Sequence, residues 1–246
     1  MGDYKTEKIS TGSFDLNKWL YGGYEKGIIT MIAGPPGSGK TNFCILVSCS
    51  QVKKDNKIIY IDTEGGFSPE RVKQMVGEGY EKVLENILLI KPVDFEEQKK
   101  YFLKLLETIK KEKIGLIIID GMAMHYRLEL GDAIELKNDG RIKDVNRDLA
   151  RQMKILSEIS RRHDIPVIIT NQVYSGFLSK EEMEKGVEKT VNLVGGDLMK
   201  YWSKCIVELR NDGNRKKAIL LKHRSLPVKE INFEIRNEGI FKRGWL

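Results

Sequence analysis

Eight consecutive residues carry the most chemical information in this chain: Gly34, Pro35, Pro36, Gly37, Ser38, Gly39, Lys40 and Thr41. Their order fits G-x-x-x-x-G-K-[ST], a loop whose backbone N–H groups wrap a polyphosphate. Glycine lets the backbone approach phosphate oxygens because no Cβ stands in the way. Lys40 supplies a point charge for the β- and γ-phosphates, and the Thr41 hydroxyl suits a Mg²⁺ shell. At average residue frequencies such a pattern arises by chance in ~1% of chains of this length. The flanks agree with the chemistry. An apolar run at 27–33 leads in as a strand, and a helical stretch at 42–54 leads out. The N-terminus of that helix adds partial positive charge where phosphates would lie. The expected ligand is a nucleoside triphosphate with Mg²⁺.

Three further side chains fall at the ends of apolar runs, where an open parallel sheet gathers its ligand-binding groups. Asp120 closes the run 115–120 and is placed to hold Mg²⁺ through a water. Glu64, two residues past the run 57–62, can polarise an attacking water. Gln172 follows the run 166–171 and can touch the γ-phosphate. Helical patterns separate these runs: one opened by Ser68 and Pro69, one over 94–113, one over 141–163. Strands alternating with helices predict an α/β fold, a mostly parallel twisted sheet covered on both faces. The end of the chain differs. Runs at 205–210 and 216–222 around the turn 211–214, then a run at 231–235, predict antiparallel strands added at one edge.

The 246 residues suffice for one α/β domain with a large core. No apolar run reaches membrane-spanning length, and the first residues lack the apolar core of a signal peptide. Cys44, Cys49 and Cys205 show neither metal spacing nor a disulfide framework, which fits a reducing cytoplasm. Net charge is +7, and its placement matters more than its size. From Lys200 onward there are twelve Lys and Arg against five Asp and Glu, so the excess lies wholly in the last fifth of the chain. A basic segment of this kind, which includes Arg215, Lys216 and Lys217, points to a polyanion, nucleic acid foremost; under the resemblance described next, those three residues become the expected DNA contacts.

The quoted residues resemble the core of the RecA/RadA recombinase family, and the likeness extends over nearly the whole chain. Segments 9–12, 60–64, 68–71, 116–120, 170–172 and 195–196 fall in that family's order. The resemblance implies a RecA-like ATPase core in which Glu64 activates water, Arg71 lies near the adenine and Gln172 senses the γ-phosphate. It makes 120–144 and 173–196 the loops that face DNA. It also likens Lys222 and Arg224 to a basic finger that KaiC- and helicase-type relatives insert into a neighbour's ATP site. Implied partners are single-stranded or branched DNA, a RadA-type recombinase or Holliday junction resolvase, and further copies of the chain.

The departures from that pattern are equally specific. Few residues precede Ile9, so the family's helical N-terminal domain is expected to be absent. Residues 122–144 carry four basic and five acidic side chains, and residues 173–196 carry three and four. Loops of net −1 are a poor main surface for DNA, although Tyr174 and Phe177 could stack on bases. By register, Tyr201 stands where recombinases place a relay His. The expected protein is an ATP- and DNA-binding accessory of homologous recombination and DNA repair. Its ATP hydrolysis is expected to be weak and little stimulated by DNA, and it performs no strand exchange unaided. A KaiC-like ring-forming signalling ATPase or autokinase stays open as the alternative. Bland roles are expected for Trp19 and Trp202 as packing anchors and for His163 as a helix end, while His125 and His223 stay undecided.

Overall fold

The computed structural model describes residues 6–175, 191–213 and 215–244. A two-stranded ribbon, Lys8–Ile9 (β1) with Tyr24–Glu25 (β2), brackets the short helix Phe14–Trp19 (α1). The chain then alternates: Ile29–Gly34 (β3), Lys40–Val52 (α2), Lys57–Asp62 (β4), Pro69–Val76 (α3), Tyr80–Glu85 (α4) and Ile87–Ile90 (β5). Phe95–Lys111 (α5), Ile114–Asp120 (β6), Met124–Glu135 (α6), Asp139–His163 (α7) and Val167–Ser175 (β7) continue it. After Val191–Leu193 (β8) and Gly196–Trp202 (α8) come Ser203–Asp212 (β9), Arg215–Lys222 (β10), Lys229–Arg236 (β11) and Gly239–Lys242 (β12).

Among the described residues the main sheet has ten strands, ordered β12-β11-β10-β9-β3-β7-β6-β4-β5 with β8 beside β7. From β9 to β5 the pairing is parallel, and from β9 to β12 it is antiparallel. Strand side chains alternate between faces, and each face has its own core. In β6, Leu116 and Ile118 join α1 to α4, while Ile117 and Ile119 join α5 to α8. Burial on both sides is why these strands read as unbroken apolar runs.

Helix starts follow local chemistry. Ser68 accepts from the Arg71 N–H and Pro69 takes the first turn, while Asp94 accepts from the Glu97 N–H. The antiparallel strands belong to the same core as the parallel ones. Phe233 of β11 meets Phe43 of α2 edge-on, ring centroids 5.3 Å apart.

Two expectations change here. Residues 120–144, taken as a DNA-facing loop, are largely helical: α6 and the start of α7. Buried Tyr126 and Ala133 with half-buried Leu130 form a helical stripe, which exposed Leu128, Ile134 and Leu136 disguise. The edge strand β12, only four residues long, was also missed. Of the second expected DNA loop, Phe177 and its neighbours through 190 lie outside the described residues.

Trp19 packs in the core and Trp202 packs against it, as expected. All three cysteines are free and buried. Burial pushes the Cys49 thiol up to about 11 and Cys205 up to about 12. A thiol-reactive dye should therefore label none of the three in the native chain and all three in denaturant. Phe233→Ala should cost about 3–5 kcal/mol in urea melts, with one transition for the whole sheet.

Candidate nucleotide site

The strand β3 ends at Gly34, and the loop turns back into α2 through Gly37 and Gly39, at φ 70° and 107°. Only glycine adopts such angles without strain. Gly34 is needed for a different reason: a Cβ there would come within 2.6 Å of Ser38 Oγ and 2.8 Å of Leu209 O. Gly39 caps α2 with no side-chain bond, so the first-turn N–H groups stay available. Ser38 Oγ is buried without a hydrogen-bond partner among the described residues. An unsealed helix N-terminus beside an orphaned hydroxyl fits an anion, and the loop geometry fits a polyphosphate.

Lys40 is buried, and its Nζ donates to Gly34 O (3.0 Å) and Pro35 O (3.1 Å). Burial lowers its pKa, against the opposing pull of Glu64 and Asp120. Thr41 points toward the loop after β4, where a Cβ on Gly66 would lie 3.1 Å from its Oγ1. Asp120 is buried at the end of β6. One carboxylate oxygen accepts from Tyr60 Oη (2.8 Å) and the other from Thr170 Oγ1 (2.7 Å). Three adjacent strands, β4, β6 and β7, are thereby tied together at the level of Asp120. Among the described residues no three His, Cys, Asp or Glu gather as a protein-only cation site. Thr41 and Asp120 fit Mg²⁺ in its usual manner, with water and phosphate completing the shell.

The hydrolytic pair expected from sequence comes together: Gln172 Nε2 donates to Glu64 Oε1 at 3.2 Å. Glu64 is held by its neighbours. Asp62 accepts from the N–H groups of Gly66 (3.1 Å) and Phe67 (3.0 Å), which folds the loop carrying it. Thr63 Oγ1 donates to Gly121 O at 2.7 Å, pinning that loop to the end of β6.

Arg71 is bound on all sides. Its Nε donates to Asn42 Oδ1, Nη1 to Gln74 Oε1 and Asn237 O, and Nη2 to Arg236 O. It thus locks α3 and the β11–β12 turn to the first turn of α2, with four of its five N–H donors engaged by protein. Ile235 of β11 closes the same side, 2.6 Å from where a Cβ on Gly39 would be.

The remaining cations separate. Lys222 donates to Lys200 O (2.7 Å), and Arg224 donates twice to buried Glu25 Oε2 (2.6 and 3.0 Å). Both lie toward the N-terminal edge of the parallel strands, away from this chain's own phosphate loop. His223 Nδ1 accepts from the Ser225 and Leu226 N–H groups while Nε2 faces Glu25 Oε1 at 3.5 Å, and burial lowers its pKa. His125 is buried against Pro92 O (2.9 Å).

Arg215, Lys216 and Lys217 do not form one patch, because successive strand residues face opposite ways. Lys216 shares its face with Ala218 and Leu220 and reaches Gly37 O at 2.7 Å. Lys217 pairs with Glu230 at 3.2 Å.

With this geometry in view, comparison with known proteins becomes decisive. The Rad51 family model matches residues 4–243. The chain belongs to the Rad51 family. Curated relatives carry the name DNA repair and recombination protein RadB. One from Methanobrevibacter smithii is 38% identical, covering 95% of both chains. One from Methanocaldococcus jannaschii is 42% identical over 92% of this chain and 98% of its own. One from Methanococcoides burtonii is 37% identical over 95% and 97%. A KaiC-like identity draws no support from these matches. Among the described residues no helix is long and apolar enough to cross a membrane.

Sequence reading missed Tyr60 and Thr170 as partners of Asp120 in this Rad51-family site, although both lay inside segments it singled out. Thr170 Oγ1 also accepts from the Gly121 N–H at 2.7 Å. Thr170→Val should therefore cost about 1–3 kcal/mol in stability, read in urea melts. It should also raise the Mg²⁺ concentration needed for half-maximal ATP binding.

Proposed function

We propose that the chain binds ATP with Mg²⁺, hydrolyses it slowly, and acts as a DNA-binding accessory in homologous recombination and DNA repair. The observation that carries the ATP reading is the convergence of Lys40, Asp120, Glu64 and Gln172 on one sheet edge around a phosphate loop. The repair context follows from the names of the Rad51-family relatives. On this reading Lys40 exchanges its two loop carbonyls for β- and γ-phosphate oxygens. Glu64 orients and deprotonates the attacking water, with Gln172 holding the carboxylate and registering the γ-phosphate. Thr41 and Asp120 are the residues that would hold Mg²⁺, which would supply compensation for the negative charge of the phosphates.

Weak coupling to DNA is part of the proposal. Tyr201, in the place of the relay His, is exposed, stacks edge-on against Trp202, and its ring receives Lys204 rather than any site residue. The segment 122–144, of net charge −1, is helical and gives DNA phosphates little to bind. DNA is assigned instead to the outer face of β10, where Arg215 and Lys217 lie. Lys222 and Arg224, remote from their own loop, would meet a nucleotide only in a neighbouring copy. A RadA-type recombinase or a junction resolvase is the proposed protein partner.

ATP hydrolysis should be slow and change less than about threefold with saturating single-stranded DNA, with Lys40→Ala as the blank. A rate raised strongly by DNA would show that coupling survives without the His and would overturn the accessory reading. Gln172→Ala should lower kcat about 10²-fold while leaving ATP affinity within about twofold. Arg215→Ala and Lys217→Ala should each reduce the salt slope of single-stranded DNA binding by about 0.7. An unchanged slope would remove both residues from the interface.

A further inference from the structure

The strands β9 and β10 run past the end of β3. The β3–β9 register stops at Ala33 opposite Glu208, so 209–212 and the facing start of β10 overhang the phosphate loop. Contact along this overhang is close, with Leu209 O 2.8 Å from the position a Gly34 Cβ would take. Lys216, paired in register with Asn211 on one side and Phe233 on the other, points to the α2 face. Its Nζ donates to Gly37 O (2.7 Å) and to Asn211 Oδ1 (3.0 Å).

Two lysines thus bracket one eight-residue loop. Lys40 holds its first two carbonyls from the helix side, and Lys216 holds its fourth from the hairpin side. An ammonium carries three donors, and two of Lys216's are engaged among the described residues. Gly37 is exposed and has open space where a Cβ would be, with φ at 70°, so no neighbouring group packs against that point of the loop. The Lys216 bond therefore fixes a part of the loop that side-chain contacts leave unconstrained.

We propose that Lys216 is a positioning residue of the nucleotide site acting within its own chain. It holds the loop tip in its phosphate-accepting form and adds positive charge beside the bound polyphosphate. This removes Lys216 from the DNA-contacting set and makes the basic C-terminal segment in part a wall of the ATP site. The assignment rests on the proposed reading of residues 34–41 as a nucleotide site.

The test compares binding of a fluorescent ATP analogue, and of ATP by competition, to wild type, Lys216→Ala, Lys216→Arg, Lys40→Ala and Lys204→Ala. Lys204 lies at the far end of β9 and controls for loss of one positive charge. Lys216→Ala should weaken ATP binding about tenfold, Lys216→Arg should recover much of it, and Lys204→Ala should match wild type. Amide hydrogen exchange at residues 37–39, measured without nucleotide, should speed up in Lys216→Ala alone. ATP affinity equal to wild type in Lys216→Ala, or an equal loss in Lys204→Ala, overturns the assignment. So does a Lys216→Ala chain whose only defect is in binding single-stranded DNA. A wild type that binds ATP no better than Lys40→Ala overturns the reading of the loop itself, and the assignment with it.

Discussion

A carboxyl group buried at the end of a sheet strand must find hydrogen-bond donors, and Asp120 finds them on the strands to either side. Tyr60 and Thr170 supply the two hydroxyls, so β4, β6 and β7 are held in register around one side chain. Everything else at the site is referred to that level. Asp62 shapes the loop that carries Glu64, Thr63 ties the loop to Gly121, and Gln172 within β7 reaches Glu64. Because each hydroxyl bridges strands through a buried contact, loss of either leaves part of a buried carboxylate without its donor.

The phosphate loop is enclosed from the other direction by the antiparallel strands. Leu209, Lys216 and Ile235 touch it, and Arg71 fastens the β11–β12 turn to the first turn of α2. The basic C-terminal region is thus continuous with the nucleotide site rather than an appended arm. Lys216 and Arg71 join the two through hydrogen bonds to backbone carbonyls. The opposite sheet edge shows the reverse economy. Glu25, buried among Lys8, His223 and Arg224, holds the β1–β2 ribbon against the end of β10, so moving Arg224 to another partner exposes a buried carboxylate to the loss of its strongest donor.

Much of this was legible in the chain. The phosphate loop, β4, β6 and the Ser68-capped helix are encoded within short windows, since glycine angles, helix caps and doubly buried strands each leave a local pattern. Glu64, Asp120 and Gln172 were legible as strand-end groups, and the structure brings Glu64 and Gln172 into contact. Helix α6 was not, because its apolar stripe is narrow and exposed Leu128, Ile134 and Leu136 blur the period. Glu25 left no signal at all: an acid in a two-residue strand looks like any surface residue until the fold covers it.

What the sequence determined alone is therefore the set of reacting groups and the order of the elements that carry them. Side-chain type and near-neighbour spacing are enough for that. The tertiary structure decided which groups meet. Arg215, Lys216 and Lys217 are neighbours in sequence, yet strand alternation turns Lys216 to the loop and Lys217 away from it. Arg71, expected near a base, also ties α3 to α2 and the β11–β12 turn through hydrogen bonds that no local pattern announces. Lys222 and Arg224, so close to Lys216 along the chain, end at the far edge because β10 runs antiparallel to β9. Direction and face are properties of strand pairing, and pairing between residues far apart in sequence is settled only when the whole sheet closes over its two cores.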